Sequence, residues 1–171
     1  MKKLFIAFTA IALAASLFTG CKNEPAWDED ITITTDKIEL SDGTWKINAS
    51  YSSSDGNEAQ TRSAEIVISD NSTKIKIMKF YDSESGIFPE GTPESEIEDY
   101  KARGYKINGN QYTYSHTYTQ EELDEMNETA EISYFTGTDS DTIIKTNEGK
   151  TKYKAVLVKH GRTTTGTWEK L

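Results

Sequence analysis

An alternation of apolar and polar residues with a period of two runs from Thr44 almost to the C-terminus, and it constrains this chain more than any other feature. Successive side chains of a β-strand point to opposite faces, so this alternation marks strands with one buried and one solvated face. Trp45, Ile47, Ala49 and Tyr51 alternate with Lys46, Asn48 and Ser50, and Ala64, Ile66 and Ile68 alternate with Ser63, Glu65, Val67 and Ser69. Asp70-Asn71-Ser72 supplies turn chemistry. In residues 73–81, Ile75 and Ile77 fall on one face but Met78 and Phe80 on the other, which requires a β-bulge near Met78. Residues 105–107, Asn108-Gly109 and residues 111–118 read as a hairpin around a tight Asn-Gly turn. Residues 130–136, 142–146, 151–159 and 162–170 continue the series, with Glu148-Gly149 and His160-Gly161 in the late turns. Residues 31–34 are a further strand candidate, and 105–107 reads as either a strand or a short spur.

Two segments depart from the period. Residues 93–103 read as a helix: Pro93 opens it, acids fill the first turn, bases the last, and Gly104 stops it. Thr119-Gln-Glu-Glu122 matches a capping box and opens a short helix to about Met126. Both are expected outside the sheet, or as lids over one end of it.

The N-terminus has a different character. Lys2 and Lys3 precede an apolar run over residues 4–18. Fifteen helical residues span only about 22 Å, short of the roughly 30 Å hydrocarbon core, so the run reads as a secretory h-region. Leu17-Phe-Thr-Gly20-Cys21 resembles the lipobox of bacterial lipoproteins, with Gly20 in the small position and Phe18 where Leu is commonest. That resemblance implies cleavage between Gly20 and Cys21 and acylation of Cys21, the chain's single cysteine. Two or more acyl chains make a stable anchor. It also implies a bacterial membrane location on the periplasmic or surface side. Lys22, rather than Asp, after the acylated cysteine points to the outer membrane. Residues 21–30 then form the acylated terminus and tether, and residues 31–171 a single β-domain.

Residues 1–20 carry two lysines and no acid, so their removal takes the net charge from −9 to −11. Phosphate backbones repel such a chain, which excludes nucleic acid as a partner. Without a second cysteine, packing alone must hold the exported domain together.

Gly43-Thr-Trp45 opens the first strong strand and Gly166-Thr-Trp168 lies near the end of the last. If the first and last strands pair antiparallel, Trp45 and Trp168 meet at one rim, with each glycine leaving room for a ring. These motifs, together with the hairpin from Tyr105 to Tyr114, resemble the lipocalin-like (calycin) group of bacterial lipoproteins over about residues 40–171. The resemblance implies an all-β, antiparallel meander β-barrel of about eight strands with one or two short helices, whose interior takes a small apolar or aromatic ligand. Lipocalins often cover the first-strand Trp with a late Arg; here the late arginine, Arg162, lies at the far end of its strand from Trp168. A β-sandwich with both tryptophans as ordinary core residues is the other architecture open to this pattern.

Period two places Tyr112, Tyr114, His116 and Tyr118 on one side of their strand, opposite Thr113, Ser115 and Thr117. The aromatic set reads either as a pocket lining with polar tips or as a ladder on the sheet surface. His160 sits in a turn and reads as solvated, and the two histidines lack metal-type spacing. Asp139-Ser-Asp141 starts like a calcium loop but lacks its glycine and closing glutamate, leaving a polar turn. Glu90, Glu94, Glu96, Glu98 and Asp99 read as a solvated face. No nucleophile elbow or P-loop is present. The expectation is a non-enzymatic binding protein with no cofactor or metal; the alternative is an interaction lipoprotein with a filled barrel that works through its loops.

Overall fold

The computed structural model describes residues 33–35, 37–137 and 141–171. The signal segment, the Gly20–Cys21 cleavage site, the tether and Asp139 lie outside the described residues.

The domain is built on one antiparallel sheet of nine strands. In chain order these are β1 (Ile33–Thr35), β2 (Gly43–Ser53), β3 (Glu58–Ser69), β4 (Lys74–Ile87), β5 (Lys106–Asn108), β6 (Gln111–Thr117), β7 (Ile143–Thr146), β8 (Lys152–Lys159) and β9 (Arg162–Lys170). Three helices interrupt them: α1 (Glu94–Ala102), α2 (Gln120–Asn127) and α3 (Ser133–Thr136). The spatial order is β1-β7-β8-β9-β2-β3-β4-β6-β5. The alternation's all-β class is realised, as the antiparallel meander that the resemblance implies, with β1 overlapping the candidate at 31–34 and α1 and α2 the two predicted helices.

The long strands form where apolar residues recur at every second position, and one irregularity keeps them in register. Glu65 pairs with Lys79 but Ile66 pairs with Ile77, so Met78 is the extra residue of a β-bulge. The bulge turns both Ile77 and Phe80 inward, leaving Met78 exposed. In the β5–β6 hairpin Asn108 pairs with Gln111, so the two-residue turn is Gly109-Asn110, one position later than the sequence suggests. Gly109 at its first position has φ +62°, as a II′-type turn requires.

β2 pairs with β9 as the two Gly-Thr-Trp motifs predict. Ile47 lies opposite Trp168, and Trp45 opposite Lys170, so both indoles share one face at one end of the sheet. Each indole N–H is satisfied by a backbone carbonyl: Trp45 Nε1 donates to Ser41 O at 2.8 Å and Trp168 Nε1 to Phe135 O at 2.7 Å. The Trp168 ring lies over Gly166, where any Cβ would overlap it. Trp45 is backed by Tyr153, with ring centroids 6.1 Å apart, and not by an arginine; Arg162 sits over Tyr51 instead.

The sheet nevertheless does not close into a barrel. Its edge strands, β1 and β5, do not pair with each other. The chain between β6 and β7 carries α2 and α3, whose apolar side chains pack on the inner face. Leu123 from α2 and Phe135 from α3 join Trp45, Ile47, Ile66, Ile68, Ile77, Phe80, Ile144, Tyr153 and Trp168 in one buried cluster, which Ile38 and Leu40 cover from the N-terminal side. Polar bonds pin the segment at both ends. The Asn127 side chain donates to Ile77 O and accepts from Ile77 N, standing in for a strand neighbour of β4, while Phe135 O accepts from Trp168. Residues 130–136, expected as a strand, instead contain α3. Their alternation is present, but burying Phe135 against Trp168 decides the conformation over local propensity.

Candidate functional site

The inner face of the sheet has two halves. The apolar half described above lies under α2 and α3. The other half continues the same strands toward the opposite end, where the inward residues become polar and aromatic. Register places them in rows across the sheet. Ala49, Arg62, Asp82 and His116 lie directly opposite one another on β2, β3, β4 and β6. Tyr51, Gln60, Glu84 and Tyr114 form the next row. All eight are half-buried.

The aromatic stripe faces inward and the hydroxyl set outward: Thr113, Ser115 and Thr117 are exposed, Tyr114, His116 and Tyr118 half-buried, and Tyr112 only 5% exposed. The structure therefore brings all four predicted residues together on the inner face, but it does not place an open lumen in front of them. Tyr118 makes an edge contact with Phe80, centroids 4.9 Å apart, and so joins the core. Tyr112 lies against Gly86, which has no Cβ to obstruct the ring. Phe88, Tyr100 and Tyr105, from the excursion that carries α1, pack against Tyr112 at centroid distances of 4.9, 4.9 and 5.8 Å. Tyr105 also meets Tyr114 at 5.1 Å, and Tyr114 stacks toward His116 at 6.5 Å.

His116 connects the stripe to the helical cover. Its Nε2 lies 2.9 Å from Glu122 Oε1. Glu122 Oε2 meanwhile accepts from the Thr119 backbone N–H and hydroxyl, completing the capping box of α2. Those bonds from Thr119, and then the one from His116, hold the Glu122 carboxyl below its usual range. His116 is thus a tie between β6 and the start of α2. His160 is exposed in its turn, as expected.

The carboxylates of this half-face were not legible as a set. Asp82 Oδ1 accepts from Arg62 Nε at 3.4 Å, Glu84 Oε2 from the Tyr105 hydroxyl at 2.8 Å, and Glu58 Oε2 from the Tyr51 hydroxyl at 3.1 Å. Burial, reinforced by these carboxylates, holds the tyrosines in their neutral form. Burial and then Tyr100, Glu58 and Glu84 push Tyr112 up to about 12; burial and then Asp82 lead the causes that push Tyr118 to about 12. Burial also raises Tyr105, which donates to Glu84, and Tyr114, which faces Asp82 and Glu122.

A pH titration follows from this. A group whose pKa is higher in the folded than in the unfolded chain stabilises the fold fully below the unfolded value, here 10.0, and loses that contribution as pH rises through the folded value. Tyrosinate absorbance from Tyr112 and Tyr118 should therefore appear only between about pH 10 and 12, together with loss of stability. Full ionisation of all nine tyrosines near pH 10 in a protein that stays folded would contradict the burial described.

Two clefts flank this arrangement without touching the stripe. One, of about 460 Å³, lies between Phe88, Thr92, Ile97 and the Gly109-Asn110 turn. The other, of about 520 Å³, lies between residues Ile38 to Ser41, Ile132, Thr136 and Lys150. Both are open to solvent. No group of three His, Cys, Asp or Glu side chains suited to a metal occurs among the described residues. The acidic residues of α1 are solvated, as expected. No helix among the described residues is long and apolar enough to cross a membrane.

The chain matches no family model, no curated protein and no solved structure.

Proposed function

We propose that this chain is a membrane-tethered, non-catalytic binding protein that takes a small ligand on the open, polar-aromatic half of its inner sheet face. One observation carries this reading. The apolar half of that face is occupied by Leu123 and Phe135 from the chain itself, whereas Tyr51, Gln60, Arg62, Asp82, Glu84 and Tyr114 line up half-exposed beside it. The same observation favours the filled-interior architecture over a lipocalin-like lumen holding an apolar guest.

The lipobox-like stretch ending at Cys21 supports the tether. Cys21→Ser should abolish metabolic lipid labelling and release the domain in soluble form; lipid label on the Ser variant would overturn the anchor.

The binding reading is tested with the full-length protein in detergent, exposed to a fractionated envelope extract, with retained small molecules identified by mass spectrometry. Retention should fall in Tyr114→Ala and Gln60→Ala and persist in Thr165→Ala on the opposite face. Equal retention by all three variants would refute it.

A further inference from the structure

We propose that residues 37–42 form a hinged strap that lifts from the inner face while the sheet stays folded, opening the cleft beside it onto the buried cluster. The strap shares no residue with the polar-aromatic half of that face.

It lies at the end of the sheet where the two indoles are, and its apolar anchors are the buried Ile38 and Leu40. Polar bonds fasten the residues between and after them. Glu39 O accepts from the Tyr153 hydroxyl at 2.8 Å, and the Glu39 carboxylate pairs with Lys37 and Lys150. Ser41 O accepts from Trp45 Nε1 at 2.8 Å and the Ser41 hydroxyl from Lys170 Nζ at 3.0 Å. Water can replace the exposed partners, and the released residues regain backbone freedom. Lifting the strap therefore costs less than unfolding the sheet beneath it.

The last fastening holds a strained turn. Asp42 accepts from the backbone N–H groups of Asn71 and Ser72, at 3.1 and 2.6 Å. Asp70, Asn71 and Ser72 join β3 to β4 at φ +61°, +56° and +60°. Three successive residues with side chains in the left-handed region are costly, and such strain gathers at elements that switch. Two consecutive N–H groups aimed at one point make a concavity for an anion, which Asp42 fills. Strap and turn thus hold each other, and release of Asp42 frees the turn to relax. Immediately after Asp42, Gly43 has φ +135°, a conformation that suits glycine. Gly43 is the pivot, able to absorb a large change of dihedral angle where the strap meets β2.

The cleft of about 520 Å³ is the seam along which the strap parts from the helical cover. Ile38 to Ser41 bound it on one side, and Ile132 and Thr136 on the other. Lifting the strap joins this cleft to the seats of Ile38 and Leu40 and uncovers Trp45 and Tyr153, both fully buried while it is down.

The two indole protons report on this separately, because Trp45 donates to the strap and Trp168 to Phe135 outside it. The test is hydrogen exchange of both protons, followed by NMR in the full-length protein in detergent, with Trp45→Phe and Trp168→Phe assigning the signals. In the unaltered protein the Trp45 proton should exchange about tenfold faster than that of Trp168, or more, and depend less on denaturant, as a local opening requires. Asp42→Ala should speed the Trp45 proton by about a further tenfold. Leu123→Ala, in α2 and outside the strap, weakens the fold as a whole; it should speed the Trp168 proton and leave the Trp45 proton as it was. One common rate and one denaturant dependence for both protons in the unaltered protein would overturn the inference, a result that depends on no variant folding. So would an unchanged Trp45 rate in Asp42→Ala, or equal acceleration of both protons in Leu123→Ala.

Discussion

Trp168→Ala should destabilise the folded domain by about 3–5 kcal/mol, the range for removing a large aromatic from a packed core. Trp168 is 4% exposed, lies over Gly166, and joins the two ends of the fold by donating to Phe135 O. Its loss removes packing from β9 and β2 and also leaves the Phe135 carbonyl without its donor. Against a typical domain stability of 5–15 kcal/mol this is a large fraction, and the melting temperature should fall by roughly 10 °C or more. Trp168→Phe separates the two effects: it keeps most of the apolar volume but orphans the carbonyl, at a cost of about 1–3 kcal/mol. Chemical denaturation measures both. Stability near that of the unaltered protein in Trp168→Ala would mean that the two ends are not joined through this ring.

Leu123→Asp should have a still larger effect and leave little folded protein. Leu123 is 3% exposed and is the one fully buried residue of α2. A carboxylate there has no basic partner in the apolar cluster around it, so it must either remain charged in a dry site or take up a proton. Either cost falls on an eight-residue helix that has little stability of its own and is held by packing, its capping box and Asn127. The helix should detach and expose the inner face, seen as intrinsic fluorescence shifted to the red and binding of a hydrophobic dye. Glu125→Ala, on the exposed side of the same helix, should change stability by less than about 0.5 kcal/mol. A Leu123→Asp protein that melts like the unaltered one would show that α2 does not cover the core.

The strands were legible because burial imposes a period of two on them, and the conflict between Ile77 and Phe80 was enough to locate the bulge at Met78. The α2 cap was legible because Thr119 and Glu122 serve only that purpose. The segment 130–136 was misread because Glu-Ile-Ser-Tyr-Phe also alternates, and only the tertiary contact between Phe135 and Trp168 distinguishes its turn of helix from a strand. The open sheet has the same origin, since nothing local announces that Leu123 and Phe135, between β6 and β7, fill the inner face in place of a closing strand pair.

At the candidate site the tyrosine stripe was visible, but its charged neighbours were not. Asp82-Ser-Glu-Ser-Gly86 has turn-like composition, yet β4 continues through it to Ile87 and puts Asp82 and Glu84 on the inner face. Likewise β3 begins at Glu58, several residues before its apolar alternation, which brings in Gln60 and Arg62. Half-exposed strand ends are under weak selection for apolar pattern, so their register is set by the pairing partner and not by their own sequence.

The chain's own helices fill the apolar half of the inner face, which leaves the open half for the proposed recognition. Titrating a fluorescent fatty-acid analogue into the soluble, unlipidated Cys21→Ser protein tests this most directly. No saturable binding is expected while the protein is folded. Stoichiometric 1:1 binding, displaced by unlabelled fatty acid and accompanied by a higher melting temperature, would contradict it.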